Sequence, residues 1–220
     1  MASSASQTSR VAANIRMAPA QIARDVIDRL ESGEFAPGQR LVEADLCLRY
    51  GAGRQIIREA LQHLNAQGIV ALEPNRGAHI VHVSREDAIM TLELTELLFG
   101  LVSRCAARRI AAGADDSRLR AAIEELVHAS QHEDRALYMR ARRHLFAALS
   151  HIAGNAELSR IMDQVRVHAM RAQFGFADFL RGHAQELAEI GRTVIAGECV
   201  NAEERARNYV RSIRESLQQF

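Results

Sequence analysis

Two hydrophobic patterns divide the chain near residue 84. Before that point, three amphipathic segments precede two short β-prone runs, 69–72 and 78–83. After it only helical periodicity recurs, in six segments: 85–112, 116–131, 134–153, 156–174, 177–196 and 201–218. The pattern predicts a mainly α protein with three parts: a disordered tail (1–16), a winged helix-turn-helix domain (17–83) and an all-helical domain (84–220).

The third helix of the first domain has the clearest amphipathic pattern. The three helices of that domain are predicted at about 19–32, 43–50 and 54–67. In the last of them Ile57, Leu61 and Leu64 share one face, which predicts that this face packs inward. The opposite face carries side chains suited to hydrogen-bonding with bases and phosphates: Arg54, Gln55, Arg58 and Gln62.

The stretch between the two β-prone runs is predicted to be the tip of a hairpin. It carries Asn75 and Arg76, and His79 follows in the second run. A helix beside a β-ribbon, both bearing arginine, is the arrangement with which winged helices contact DNA. A double-stranded DNA operator is therefore the expected partner.

Because the overall charge is nearly balanced, a DNA-binding surface must come from a local grouping of arginines and not from the net charge of the chain. The net charge is +1, and residues 1–82 contain nine arginines against eight acidic residues. A bulk basic character, which would suggest non-specific attraction to nucleic acid, is therefore absent. The chain contains no lysine, so every candidate phosphate contact is an arginine or a histidine.

The motifs of common enzyme classes are missing from the sequence. There is no Gly-x-Ser-x-Gly elbow, phosphate-binding loop, dinucleotide fingerprint or His-Glu-x-x-His motif. Three widely spaced cysteines (47, 105 and 199) form no Cys-x-x-Cys pair. No apolar run approaches the ~20 residues that cross a bilayer. We therefore expect a cytoplasmic protein that is not an enzyme and has no membrane partner.

The first domain resembles the DNA-binding domain of the GntR family of bacterial transcription regulators. The helical domain that follows resembles the sensor (FCD) domain of its FadR-like branch. The resemblance rests on segments in the family's order: 33–41, 43–46, 54–61, 68–70 and 74–78. It implies DNA contacts from Arg54 and Arg58, a homodimer and a small-molecule effector. Gln55 stands where the family usually has threonine, so we expect a different base preference, with adenine as its partner.

The resemblance also implies that the branch's usual metal site is lost. Its ligand positions fall at Ala141, Leu145, Leu187 and Tyr209, and Thr95 stands where an effector-binding arginine is common. We therefore expect no metal and no cofactor, and an apolar or acyl-bearing effector. A cavity that is packed shut is an equal alternative. The expected effector pocket comprises Thr95, Ala141, His144, Leu145, Leu187 and Tyr209.

Two other functions of the helical domain remain open. A displaced metal site using His144 and His183 would make it a metal-dependent sensor of organic acids. A domain that only dimerises would bind no ligand at all. Five arginines of the helical domain form a cluster along the sequence: Arg140, Arg142, Arg143, Arg166 and Arg171. They allow two interpretations. Either some of them face inward and hold an anionic head group, or they form salt bridges on the exterior.

Overall fold

The computed structural model describes residues 17–74, 76–132, 135–164 and 180–219. The helices are α1 (Pro19–Ser32), α2 (Glu43–Tyr50), α3 (Arg54–Ala66), α4 (Arg85–Ala111), α5 (Ser117–His132), α6 (Arg135–Ala153), α7 (Ala156–Gln164), α8 (Leu180–Ile195) and α9 (Cys199–Gln219). The strands are β1 (Arg40–Leu41), β2 (Val70–Glu73) and β3 (Gly77–Ile80). This order confirms the predicted fold class, a winged helix-turn-helix followed by a helical domain.

The wing is a three-stranded antiparallel sheet with β3 in the centre. The hairpin of β2 and β3 was predicted, whereas β1 falls in a stretch interpreted as a turn. In β1, Arg40 pairs with His79 and Leu41 pairs with Ala78. A strand of two residues has no alternation of polar and apolar positions that sequence analysis can detect.

The apolar faces of α1 and α3 meet in the core of the first domain. Both helices bury the faces that their sequence patterns predict. The largest fully buried side chains of this core are Ile22, Leu30, Ile57, Leu64, Ile69 and Ile80. Gly33 ends α1 in a left-handed conformation with φ of 86°, which glycine adopts without the steric cost of a Cβ atom.

A polar network joins α1 to α2. The Asp25 carboxylate accepts hydrogen bonds from Arg29 Nε at 2.6 Å and from the Tyr50 hydroxyl at 2.9 Å. Glu34 pairs with both Arg29 and Arg49. Burial, together with the bond to Asp25, raises the pKa of Tyr50 to about 12. The network fixes α2, against which α3 packs.

The helices from α4 onward surround a second core. Its largest fully buried side chains are Phe99, Leu119, Leu126, Leu145 and Leu149. α4 begins where the sequence predicts, because the Ser84 hydroxyl accepts a hydrogen bond of 3.0 Å from the backbone N–H of Asp87.

The start of the last helix was predicted wrongly. α9 begins at Cys199, ahead of the capping sequence expected at Asn201. The Asn201 side chain instead donates to Glu198 Oε2 at 2.7 Å. The predicted segments 156–174 and 177–196 are described only over α7 and α8, and their remaining positions lie outside the described residues.

Candidate functional site

The outer face of α3 is polar and accessible. Ile57, Leu61 and Leu64 are at most 3% exposed, which fixes the rotation of the helix about its axis. The side chains expected to contact DNA from this helix are all exposed: Arg54, Gln55, Arg58 and Gln62. They are spaced so that they lie on one side of the helix, as the sequence predicts.

Arg58 is held by a carboxylate of the preceding helix. Its Nε lies 3.1 Å from both carboxylate oxygens of Glu43, which is in the first turn of α2. The Arg58 side chain is 59% exposed, and ion pairs at such exposure contribute only ~0–1 kcal/mol. Glu43 therefore orients the guanidinium without preventing a stronger contact with a phosphate or a guanine.

Gln55 and Arg54, which lie near Arg58 on α3, differ in the contacts that hold their side chains. Gln55 Nε2 donates to Glu59 Oε1 at 2.8 Å along the same helix. Within the described residues, Arg54 has no side-chain hydrogen bond or ion pair. It follows Gly53, which caps α3 without a side-chain bond. Arg54 thus lies at the helix N-terminus, the end that enters the major groove in helix-turn-helix proteins.

The wing presents a third arginine to solvent. The Arg76 side chain is 81% exposed, and its Nη1 lies 3.4 Å from Glu73 Oε2. His79 is only 26% exposed, with its Nε2 3.4 Å from the other Glu73 oxygen, so it lies beside the wing tip and not on it. The predicted contact Asn75 lies outside the described residues.

Arg40 belongs to this surface and was missed by sequence analysis. It is exposed on β1, and its guanidinium lies 3.8 Å from the point that a Cβ on Gly77 would occupy. The pairing of β1 with β3 brings it beside the wing tip. The only sequence signal was a further arginine in a segment interpreted as a turn.

We define the basic surface as the four exposed arginines of α3, β1 and the wing: Arg40, Arg54, Arg58 and Arg76. Three carboxylates lie next to it, on Glu43, Glu59 and Glu73. They offset part of the arginine charge, so a domain that exposes four arginines here still has nearly balanced charge overall. Contacts with phosphate exchange these weak surface pairs for charge-assisted hydrogen bonds.

The residues expected to form an effector pocket do not all lie together. Five are buried in the helical domain, each at most 7% exposed: Thr95, Ala141, Leu145, Leu187 and Tyr209. The Thr95 hydroxyl donates to the Thr91 carbonyl at 2.7 Å.

The expectation that His144 lines the pocket is wrong. Its side chain is 53% exposed, and its Nδ1 lies 2.6 Å from Glu125 Oε2 on α5. The helical phase of α6 turns it outward because Ala141 and Leu145 face inward. His183 lies elsewhere, with its ring 5.6 Å from that of Tyr209. Across the described ranges, no three His, Cys, Asp or Glu side chains are grouped to hold a metal ion.

An ionic contact connects the two domains. Arg143 Nη1 on α6 lies 2.8 Å from Asp28 Oδ1 and 3.0 Å from Glu31 Oε2, both on α1. The Glu31 side chain is only 2% exposed, whereas that of Asp28 is 41% exposed. Asp28 Oδ1 has no partner in hydrogen-bonding geometry, so Arg143 attracts it without bonding to it.

The two carboxylates should respond to neutralisation in opposite directions. Although the Asp28 side chain as a whole is partly exposed, its Oδ1 atom is buried, and this loss of solvation raises the pKa of Asp28 despite the nearby guanidinium. The folded protein therefore binds this proton more tightly than the unfolded chain, and stability falls as pH rises from about 3.8 through the raised pKa. Asp28→Asn removes this loss, so we expect a higher Tm at pH 7 and a smaller gain at pH 4.

Glu31→Gln is the matched variant. It removes a charge-assisted hydrogen bond at a buried position, which costs about 2 kcal/mol, so we expect a lower Tm at pH 7. Thermal unfolding of both variants from pH 4 to 7 checks the pair. Equal losses of stability would contradict the different roles assigned to the two carboxylates.

The arginine-bearing helix on a three-helix core, with a sheet beside it, defines a winged helix-turn-helix DNA-binding protein. Residues 19–80 match the model of the bacterial regulatory proteins of the gntR family. Residues 19–80 therefore form a domain similar to the gntR-family DNA-binding domain.

Solved structures share the fold over nearly the whole chain. A transcriptional regulator GntR from Rhodococcus sp. RHA1 is 24% identical, with a TM-score of 0.74 over 91% of this chain and 97% of that one. E. coli McbR/YncC is 18% identical, with a TM-score of 0.73 and the same coverage. No curated protein matches the sequence significantly. Among the described helices, none combines the length and apolarity needed to span a bilayer.

Proposed function

We propose that this chain regulates transcription in the cytoplasm by binding a specific operator as a homodimer. The observation that carries the proposal is the outer face of α3, where Arg54 and Arg58 are exposed one helical turn apart while the opposite face is buried. Separate hydrophobic cores support a DNA-binding domain over 17–83 and a helical domain over 84–220, although Val81 and Val83 at the end of the first segment pack with the second core.

In this proposal α3 lies in the major groove and the wing lies against the backbone. Arg54 and Arg58 offer paired donors to guanine or to phosphate, and Gln55 offers a donor and an acceptor to adenine. Gln62, Asn75 and His79 are expected to make flanking contacts. Arg76 and Arg40 are assigned to phosphates, because Arg76 lies in the turn between β2 and β3 and Arg40 lies on β1, which pairs with β3.

Arg76→Ala tests the role of the wing. Losing one phosphate contact should weaken binding to the same extent for all DNA sequences. It should also reduce by ~1 the magnitude of the slope of the logarithm of the DNA-binding constant against the logarithm of the salt concentration. Fluorescence anisotropy with a duplex selected from a random library, titrated at several salt concentrations, measures this slope. An unchanged slope, or a changed preferred sequence, would contradict the assignment.

The homodimer is proposed to form through one face of α4. Met90, Leu94 and Leu97 are large apolar residues that are 46–55% exposed there, and Leu101 continues the same stripe. Isolated exposed apolar residues are common, but a continuous stripe on one helix favours a partner. The apolar stripe is defined here as Met90, Leu94, Leu97 and Leu101.

The distribution of charged residues along α4 favours a second copy of this chain as the partner of the apolar stripe. The first turn carries Glu86 and Asp87, and the last turn carries Arg108 and Arg109. Two antiparallel α4 helices related by a two-fold axis near Leu97 bring each acidic end against a basic end. Such self-complementarity is what an isologous interface requires.

The helical domain is proposed to sense a small molecule, as in the FadR-like branch. The buried positions of Thr95, Leu145, Leu187 and Tyr209 support an effector site among α4, α6, α8 and α9. Arg143 offers a route from that site to the DNA-binding domain, because it lies on α6 and contacts α1. Effector and operator would then influence each other reciprocally, typically by ~1–3 kcal/mol.

A further inference from the structure

The DNA-binding domain meets the helical domain mainly through one pair of helices. α1 lies against α6, and within the described residues no other two helices or strands make so extensive a contact across the domain boundary. The hydrophobic cores on the two sides share no buried residue. Domains joined by a narrow interface are expected to move relative to each other unless specific contacts hold them.

The chain that connects the two domains is very short. The Val81 N–H donates to the Ile69 carbonyl at 2.9 Å, which attaches Val81 to the DNA-binding domain. Val83 is 4% exposed and lies in the core of the helical domain. His82, which is exposed, is the residue between these two attachments. A connection of this length keeps the domains together, but its few backbone torsions still allow one domain to rotate against the other.

The start of the helical domain is held firmly at this connection. Arg85, in the first turn of α4, donates to the Leu217 carbonyl from Nε at 2.8 Å and from Nη2 at 2.6 Å. Its neighbour Ser84 caps the helix. These bonds tie the beginning of α4 to the end of α9, so rotation at the connection moves the DNA-binding domain as a whole.

The ion pair between Arg143 and Glu31 supplies a second attachment, away from the connection. Arg143 Nη1 lies 3.0 Å from Glu31 Oε2, and the Glu31 side chain is only 2% exposed. Rotating the DNA-binding domain about the connection would slide α1 along α6 and separate these groups. Because that takes a charge-assisted bond from a buried carboxylate, the rotated orientations are disfavoured.

We propose that the Arg143–Glu31 pair fixes the orientation of each DNA-binding domain and thereby restricts the distance between operator half-sites that the dimer accepts. The inference rests on the proposed function, the binding of a two-fold operator by a homodimer. One base pair added between half-sites moves one of them by about 3.4 Å and turns it by about 35°. A dimer with fixed domains accepts few such spacings. Arg143 is thus a positioning residue, which acts on DNA through α1.

The test varies the spacing between half-sites. The duplex selected by the full chain would be compared, by anisotropy, with duplexes whose centre is one or two base pairs longer or shorter, and with a single half-site. We expect the unsubstituted chain to bind the altered spacings at least ~10-fold more weakly, and Arg143→Met less than ~3-fold more weakly. Arg143→Met should bind the single half-site as tightly as the unsubstituted chain does, and the selected duplex more tightly than the half-site, as a dimer must.

Two further variants separate positioning from a general loss of structure. Glu31→Gln removes the same ion pair from the other side, so it should relax the spacing requirement, and combining it with Arg143→Met should relax it no further. Arg214→Met is the matched control. The Arg214 side chain is 21% exposed against 25% for Arg143, and it also lies near two carboxylates, but both belong to the helical domain. It should keep the spacing requirement.

The other outcomes overturn the proposal in distinguishable ways. Equal binding of all spacings by the unsubstituted chain would show that the domains are not fixed, while operator binding itself stands. An unchanged spacing requirement in Arg143→Met, or the same relaxation in Arg214→Met, would exclude the ion pair as the cause. If Arg143→Met fails to bind the single half-site, Glu31→Gln, which keeps the side-chain shape, decides in its place. Failure of the unsubstituted chain to bind any selected duplex would overturn the proposed function, and this inference with it.

Discussion

Alanine at Arg54 or Arg58 is expected to weaken operator binding by ~1–3 kcal/mol for each substitution, or roughly 5- to 150-fold. Both guanidiniums stand on the solvent face of α3, and the buried Ile57 and Leu61 prevent the helix from rotating them away. A variant lacking Arg54 or Arg58 should also lose discrimination at the base pairs that the missing side chain contacts. Anisotropy titrations with the selected duplex and with single-base variants measure both effects.

Arg120→Ala is the matched control. Arg120 on α5 has the same side-chain exposure as Arg58, 59%, and it also pairs with a carboxylate, that of Asp116. The two substitutions therefore remove the same charge from similar surroundings in different domains. Equal loss of DNA binding in both would indicate a general effect of net charge and would contradict a role for α3.

Leu97→Glu is expected to convert the dimer to a monomer and to lower operator affinity ~100-fold, because the two half-sites would no longer be bound by linked domains. Leu97 lies near the proposed two-fold axis, so each introduced carboxylate would face its own copy in a desolvated contact. Analytical ultracentrifugation measures the oligomeric state, and the anisotropy titration measures the effect on DNA binding.

Val200→Glu serves as the control for this substitution. Val200 is 77% exposed at the start of α9, outside the apolar stripe of α4. The same polar replacement there should leave the oligomeric state unchanged. Dimers that persist in Leu97→Glu would show that the stripe is not the interface.

The DNA-binding domain was largely predictable because its chemistry follows local periodicity. The positions of Ile57, Leu61 and Leu64 determine which side of α3 faces outward, so the exposure of Arg54 and Arg58 followed from their spacing. β1 was missed because two residues provide no pattern. Arg40 was missed with it, since only the pairing of β1 with β3 brings that side chain to the wing.

The helical domain was predicted well as a set of helices and less well as a site. His144 is next to an inward position in sequence, but the phase of α6 points it outward to Glu125. Of the two interpretations of the arginine cluster, exterior salt bridging is wrong for Arg142, which is buried against Phe146. Arg143 does form salt bridges, yet its partners lie on α1, more than a hundred residues away along the chain. Such long-range pairing leaves no local signal, and Arg166 and Arg171 lie outside the described residues.

Selection of duplexes from a random library by the full chain tests the central claim most directly. The account predicts enrichment of a two-fold symmetric sequence by the unsubstituted chain and by Arg120→Ala, and no enrichment of it by a variant with alanine at both Arg54 and Arg58. Enrichment of the same sequence by that double variant would contradict the assignment of α3 as the element that reads the operator.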